Sequence, residues 1–234
     1  MNVLVLGGTG VISRQIVKLL LENNHAVAVY NRGSRALPFS EEVRQLTGDR
    51  ADRQEFESSM RRESFAFGDS GAHIVICSSI AAYKRPYRTV PTIESAEELH
   101  DDPTFSYAFD KAEAERYLAG VITEKNLPIT IIRPSLTFGP GAANMGVLRQ
   151  NYGIIDRIRA GKPLVMFGDG STPFSFTFTP DLAKAFVGVL GNEKTFGDSG
   201  AHIVICSSIA AYKRPYRTVP TIESAEELHD DPTF

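Results

Sequence analysis

An unbroken apolar run, Val3-Leu-Val-Leu6, passes at once into Gly7-Gly8-Thr9-Gly10, and Ile12, Ile16, Leu19 and Leu20 then recur at helical spacing as far as Asn23-Asn24. This order of strand, glycine turn and helix restricts the fold more than any other feature of the chain. An apolar strand without alternation has to be covered on both faces, which is the condition of strands in a parallel sheet flanked by helices. Glycine between strand and helix lets backbone N–H groups approach a diphosphate at the helix N-terminus. Gly7, Gly10 and Ser13 hold the three positions of a GxxGxxG turn, with serine in place of the third glycine.

The alternation continues down the chain. Residues 26–30 read as a second strand bounded by Asn31-Arg32-Gly33-Ser34, residues 41–46 as a helix with a short edge segment up to Gly48, and residues 51–62 as a charged amphipathic helix. Residues 73–79 form a third apolar strand, 107–126 a long helix, 129–133 another strand, and 148–160 and 180–190 two further helices. Strands alternating with helices predict an α/β, doubly wound parallel sheet. Proteins that prefer NAD place a carboxylate at the end of the second strand for the ribose hydroxyls. Here Asn31, Arg32 and, close behind, Arg35 stand instead, and two guanidinium groups suit a 2′-phosphate, so NADP is favoured over NAD. Solvated loop arginines are the alternative. Asp49, in Gly48-Asp49-Arg50, is placed to reach the adenine edge, or is a simple turn aspartate.

Tyr107 and Lys111 lie four residues apart and share one helix face. The spacing alone is weak evidence, but the pair opens the helix that follows a strand ending in Ser78-Ser79. Together they resemble the Ser–Tyr–Lys set of short-chain dehydrogenases, with Ser79 as the serine. Tyr107 would then exchange a proton with the substrate oxygen while hydride moves to or from nicotinamide. A free tyrosine ionises well above neutrality, so this role calls for nearby positive charge, which Lys111 and the oxidised nicotinamide would supply. Ser79 would orient the substrate oxygen. A surface tyrosine and a solvated lysine are the competing reading.

The segments 3–13, 29–33, 48–49 and 77–83, the Tyr107-x-x-x-Lys111 pair, Ile132-Arg-Pro-Ser-Leu-Thr-Phe-Gly-Pro-Gly141, and Phe167-Gly-Asp-Gly170 followed by Pro180-Asp-Leu-Ala183 resemble the NAD-dependent epimerase/dehydratase family from residue 1 to about Gly197. The resemblance implies a Rossmann domain over residues 1–140, an incomplete C-terminal substrate lobe over 141–195, and action on a nucleotide sugar or a related carbonyl or alcohol. It implies a catalytic set of Ser79, Tyr107 and Lys111. It also implies coenzyme contacts from Gly7, Thr9, Gly10, Val11, Ile12, Asn31, Arg32, Asp49, Lys111 and Pro134, the Arg133-Pro134 segment bordering the nicotinamide. The sequence departs from the family's pattern at Ser13, at Phe138 where tyrosine is common, and in residues 171–176, which lack a phosphate-holding arginine. Only residues 63–72 stand where the family has a further strand–helix unit.

Residues 67–105 recur letter for letter as 196–234, displaced by 129 positions. Diverged solenoid repeats do not look like this. The copy duplicates a strand and a loop without the helix that follows them. The missing unit leaves a vacancy beside the first strand, and the copied strand 202–208 is expected to fill it. The alternative is that strand 73–79 slides into the vacancy and carries Ser79 away from Tyr107.

The net charge of -3 argues against nucleic acid and anionic membrane as partners. No apolar stretch approaches the roughly 20 residues of a membrane span, nothing resembles a signal peptide, and a cytoplasmic address is expected. The two cysteines sit in the two copies of one strand and read as buried thiols. The five histidines are scattered and predict no metal site. A homodimer is compatible with the sequence. Two rival functions stand beside the enzyme: a non-catalytic NADP-sensing regulator, and an RNA-binding protein. The latter rests on the words Gly-Gly-Thr-Gly-x-Ile-Ser and Asn-Arg-Gly, shared with chloroplast stem-loop RNA-binding proteins, and on a local basic face of Arg44, Arg50, Arg53, Arg61 and Arg62.

Overall fold

The computed structural model describes residues 1–62, 72–88, 96–142, 153–165, 175–196, 201–204 and 221–222. The opening strand β1 (Asn2–Leu6) leads through the glycine turn to α1 (Val11–Glu22), then to β2 (Ala26–Asn31), β3 (Arg44–Thr47) and α2 (Arg53–Arg62). β4 (Ile74–Cys77), α3 (Ser106–Lys125) and β5 (Ile129–Ile132) follow. Two short strands, β6 (Leu136–Phe138) and β8 (Phe176–Phe178), pair in parallel, and α4 (Gly153–Arg159) and β7 (Leu164–Val165) come between them in sequence. α5 (Thr179–Val189), β9 (Ala201–Val204) and β10 (Thr221–Ile222) complete the order. α1 ends where expected, with Asn24 in the left-handed region at φ 57°, and α3 stops at Asn126, φ 49°.

All strand pairs that carry the core are parallel: β1 with β2, β2 with β3, β4 with β5, and β5 with β9. Helices cover both faces, as the apolar strands require. On one face Val27 and Val29 of β2 pack with Val17 and Leu20 of α1, and Val75, Cys77 and Ile132 pack with Leu182, Phe186 and Val189 of α5. Ile16 of α1 touches both clusters and so joins the two halves. On the other face Ile74, Ile76, Ile129 and Ile131 meet Leu118 and Ile122 of α3. Tyr30, the neighbour of Val29 on β2, meets Phe56 of α2 edge-on at 5.2 Å. The sheet is therefore doubly wound.

Two expectations change, and a third is described only in part. Residues 41–46 do not form a helix: Arg44–Thr47 is a strand whose register sets Ala28 against Arg44 and Asn31 against Thr47. Parallel pairing to β2 here outweighs the local helical preference of Glu41-Glu42. The helix expected over 148–160 is described only as Gly153–Arg159; its beginning lies outside the described residues.

The other change concerns the copied strand, which does not fill the vacancy. Among the described residues β1 pairs with β2 alone and β4 with β5 alone, while β9 pairs with the far side of β5. Ile74 stands opposite Ile129, whereas its repeat Ile203 stands opposite Ile131, so the two copies flank one strand two residues out of step. An even offset keeps the alternation of a strand's two faces in phase. Strand 73–79 has not slid toward β1 either. Val3, Leu4 and Val5 of β1 and all four residues of β4 are left only half-buried.

Candidate active site

Two groups of residues assemble at the C-terminal ends of the parallel strands. The first surrounds the glycine turn. Gly7 and Gly8 take φ values of 123° and 84°, in the region that favours glycine. A Cβ on Gly8 would lie 2.6 Å from Val29 Cγ1, so the turn is also packed too tightly for a side chain. The Gly7 N–H donates to the Tyr30 carbonyl at 2.9 Å, and the Asn31 Nδ2 donates to the Gly7 carbonyl at 3.1 Å. Asn31 Oδ1 accepts from the Gly33 N–H at 2.8 Å and from Gln45 Nε2 at 3.2 Å. The Asn31 side chain thus anchors the turn to the end of β2 and to β3. Gly10 is the N-cap of α1 and donates to Ser13 Oγ at 3.1 Å, so the serine in the third glycine position stabilises the helix start. Ile12 packs into the core under α5.

Arg32 and Arg35 are exposed beside this turn, and neither forms an ion pair among the described residues. The Gly48 N–H donates to the Asn31 carbonyl at 2.9 Å, which brings Asp49 to the same edge. Asp49 Oδ1 accepts from the Ala51 N–H at 2.9 Å and forms a turn.

The second group joins the ends of β4 and β5 to α3. Lys111 Nζ donates to the Cys77 carbonyl at 3.2 Å and lies 5.9 Å from the centroid of the Tyr107 ring, which is 48% exposed. Ser79 is the N-cap of a 3-10 turn, Ile80–Ala82, and its hydroxyl accepts from the Ala81 N–H at 3.1 Å. The next amide, Ile80 N–H, donates to the Pro134 carbonyl at 3.1 Å, so Ser79 and Pro134 come to one place. Burial pushes the Cys77 thiol up from its ordinary value, an effect that the Lys111 charge partly offsets.

The sequence reading did not foresee a buried polar cluster directly beneath this group. Glu115, one turn beyond Lys111, accepts from Arg133 Nε at 3.0 and 2.9 Å and also pairs with Arg133 Nη2. Ser78 Oγ donates to the same carboxylate. Arg133 Nη1 donates to Tyr83 Oη at 2.6 Å, and its guanidinium carbon lies 4.4 Å from the centroid of the Tyr83 ring. All four side chains are buried, Glu115 to 4% and Arg133 to 3% exposure. Burial works against the Arg133 charge, but the Glu115 and Tyr83 contacts outweigh it and hold its proton more tightly than usual. The available signal was the recurrence of Tyr107, Lys111 and Glu115 at four-residue steps along one helix face.

Among the described residues no cluster of histidine, cysteine or carboxylate side chains could hold a metal ion. No described helix is long and apolar enough to cross a membrane.

Parallel strands covered on both faces, with a glycine turn after the first strand and a tyrosine–lysine pair on the helix after β4, define a Rossmann-type α/β protein. A sequence model of the NAD dependent epimerase/dehydratase family matches residues 65–206, more than half of the chain, and the chain belongs to that family. It is 26% identical over 244 residues to the chloroplast stem-loop binding protein of 41 kDa b of Arabidopsis thaliana, covering 89% of this chain and 61% of that protein. The chain thus spans about three fifths of the length of such relatives. Among solved structures it resembles UDP-glucose 4-epimerase of Thermotoga maritima, crystallised with UDP-glucose, at a TM-score of 0.65 and 17% identity, covering 95% of this chain and 87% of that one. It also resembles dTDP-glucose 4,6-dehydratase of Bacillus anthracis in complex with NAD, at a TM-score of 0.63 and 18% identity, covering 87% and 75%.

Proposed function

We propose that this chain binds NADP, in preference to NAD, and uses Tyr107 for proton transfer in an epimerase, dehydratase or reductase reaction on a nucleotide sugar or a related carbonyl or alcohol. The observation that carries this reading is the placement of Lys111 between the Cys77 carbonyl and the Tyr107 ring, at the end of the strand that leads into Ser79. Several features of the turn suit a dinucleotide: Gly7 and Gly8 give it a backbone that side chains would disfavour, the α1 N-terminus follows, and Arg32 and Arg35, without an ion pair among the described residues, stand at the edge where a 2′-phosphate would lie. Thr9, Gly10 and Val11 of the turn, Asp49 beyond the end of β3, and Pro134 near Ser79 would add coenzyme contacts.

When bound, the coenzyme supplies a nicotinamide ring that accepts or returns hydride. The protein's part is to hold the substrate oxygen and move its proton. Tyr107 Oη takes the hydroxyl proton as the carbon–hydrogen bond breaks, or returns it in the reverse direction. Lys111 favours the phenolate by its charge, and Ser79 orients the oxygen. Residues 1–140 would bind the coenzyme and residues 141–195 would contribute to the substrate side.

NADPH fluorescence should rise on mixing with the protein and be largely lost in Arg32→Ala. Hydride turnover should fall by roughly 10²–10⁴-fold in Tyr107→Phe with coenzyme binding retained. Binding without turnover in the unsubstituted chain would favour the NADP-sensing regulator; no affinity for either coenzyme would overturn both readings.

A nucleic-acid-binding function is the second reading, favoured by the name of the Arabidopsis relative. Against it, Arg53 of the basic face is paired with Glu57 at 2.8 Å. A salt-dependent shift of a stem-loop RNA at physiological ionic strength would support it.

A further inference from the structure

We propose that Arg133 and Glu115 form a positioning pair for the Tyr107–Lys111 couple. By occupying the Glu115 carboxylate from the β5 side, Arg133 leaves the Lys111 ammonium free to bridge the Cys77 carbonyl and the Tyr107 ring. This inference rests on the proposed role of Tyr107 and names residues that act through it.

The cluster joins three elements at one level. Consecutive residues at the end of β4 are taken by consecutive turns of α3: the Cys77 carbonyl by Lys111 and the Ser78 hydroxyl by Glu115. The end of β5 is tied to the same helix through the Arg133–Glu115 pair. Lys111 is held between the Tyr107 ring on its own helix and the Cys77 carbonyl on β4; Glu115 lies one turn further along the helix, and Arg133, just past the end of β5, is paired with it. Tyr83, after the 3-10 turn, stands behind Arg133. Of these only Glu115 could draw the ammonium away from Tyr107, and it lies at the four-residue spacing from which helical side chains meet.

A carboxylate buried to this degree has to find a cation or take up a proton. Arg133 is that cation, and it is held by two further contacts, the Tyr83 hydroxyl and the face of the Tyr83 ring. If Arg133 is removed, the nearest replacement is Lys111. The ammonium would then turn one helical step toward Glu115 and leave the phenol without its positive neighbour. The pair is needed because an acidic residue, which binds the Ser78 hydroxyl and fixes the strand end, has been placed one turn from the lysine on which the chemistry depends. Its contribution is to geometry and local charge at Tyr107, with no contact to the reacting atoms.

The test reads Tyr107 directly in the coenzyme-free protein, as the ultraviolet tyrosinate absorbance that is absent in Tyr107→Phe. In Arg133→Met this absorbance should appear at higher pH than in the unsubstituted protein. The pH–rate profile should move by the same amount, with kcat reduced about tenfold and KM within about threefold. In Glu115→Gln/Arg133→Met, where neither charge remains and Ser78 keeps an acceptor, both should return toward the unsubstituted values. A loss of packing alone would not reverse in this way. Should Arg133→Met not fold, Arg133→Lys, which cannot grip both carboxylate oxygens, should shift the titration in the same direction. An unmoved titration in a folded single variant, or an equal shift in the double variant, would overturn the proposal. Failure of the unsubstituted protein to bind coenzyme would instead overturn the function proposed above, and the titration would still report on the pair.

Discussion

His73 shows how one side chain can set the pH range over which the fold holds. The Gly191 N–H donates to its Nδ1 at 3.1 Å, so that nitrogen carries the lone pair. Nε2 then holds the proton and donates to Thr130 Oγ1 at 2.9 Å, and Thr130 passes its own hydroxyl hydrogen to the Thr195 carbonyl at 3.1 Å. Protonating Nδ1 would break the Gly191 bond. Burial already lowers the His73 pKa below the ordinary histidine value of about 6.5. The folded chain therefore holds this proton less tightly than the unfolded chain. The stabilisation is complete above the ordinary value and is lost as the pH falls through the lowered folded value. The urea midpoint should drop between neutral and mildly acidic pH, and His73→Gln should remove that part of the slope. Equal slopes in the two chains would show that the histidine is not responsible. The donors and acceptors involved come from sequence positions far apart, so nothing in the order of residues announced them. The same holds for Asn31, expected on the coenzyme, whose side chain is taken up by Gly7, Gly33 and Gln45. Tyr107 and Lys111 were legible because helix geometry alone aligns residues four apart. Glu115 was not, because a carboxylate on a long helix reads as solvated until Arg133 closes over it.

The strands differ in how far the chain advertises them. β1, β2, β4 and β5 are mostly apolar runs and were readable at once; β6 and β8, three residues each, are too short to show a period, and β3 exists only through its register with β2. The strand–helix unit missing between α2 and β4 has a physical consequence at this scale. β1 and β4 each have one hydrogen-bonding edge without a partner strand among the described residues. Successive backbone groups of a strand in a parallel sheet point to alternate sides, so only half of the β1 amides can bond to β2 and only half of the β4 amides to β5. Amide hydrogen exchange should accordingly alternate along β1 and β4, with fast exchange at every second residue, while β5, paired on both sides, exchanges slowly throughout. Uniform protection along β1 would mean that another strand occupies the gap, and this would revise the sheet order.

For the molecule as a whole, the repeated strand lies at the edge of the sheet beside β5 and not in the gap beside β1. α5 packs across α1 and the β5 side of the sheet, and the chain leaves it through Gly191, tied to His73, and Thr195, tied to Thr130 of β5. Phe196, the first residue of the copy, lies edge-on to the His73 ring at 4.6 Å. β9 begins five positions further on, at Ala201, and pairs with β5 in parallel. It does so although Gly191, just past the end of α5, lies between His73 before β4 and Met1 before β1, next to the gap. The copy extends the sheet at its edge and covers a strand that would otherwise expose apolar residues and unpaired backbone. A chain ending at Phe196 should lose the β5–β9 pairing while keeping α5 and the His73 contacts. With each hydrogen bond contributing on the order of 0.5–1.5 kcal/mol, the four-residue ladder is large enough to lower the urea midpoint measurably. The bare β5 edge should also make the shortened chain elute as a larger species than the full chain on gel filtration, and saturating NADPH should not reverse this, because the glycine turn follows β1 and is not on the exposed edge. A shortened chain that elutes no larger than the full one and is as stable would show that the repeat contributes nothing to the sheet, and that the sheet ends at β5.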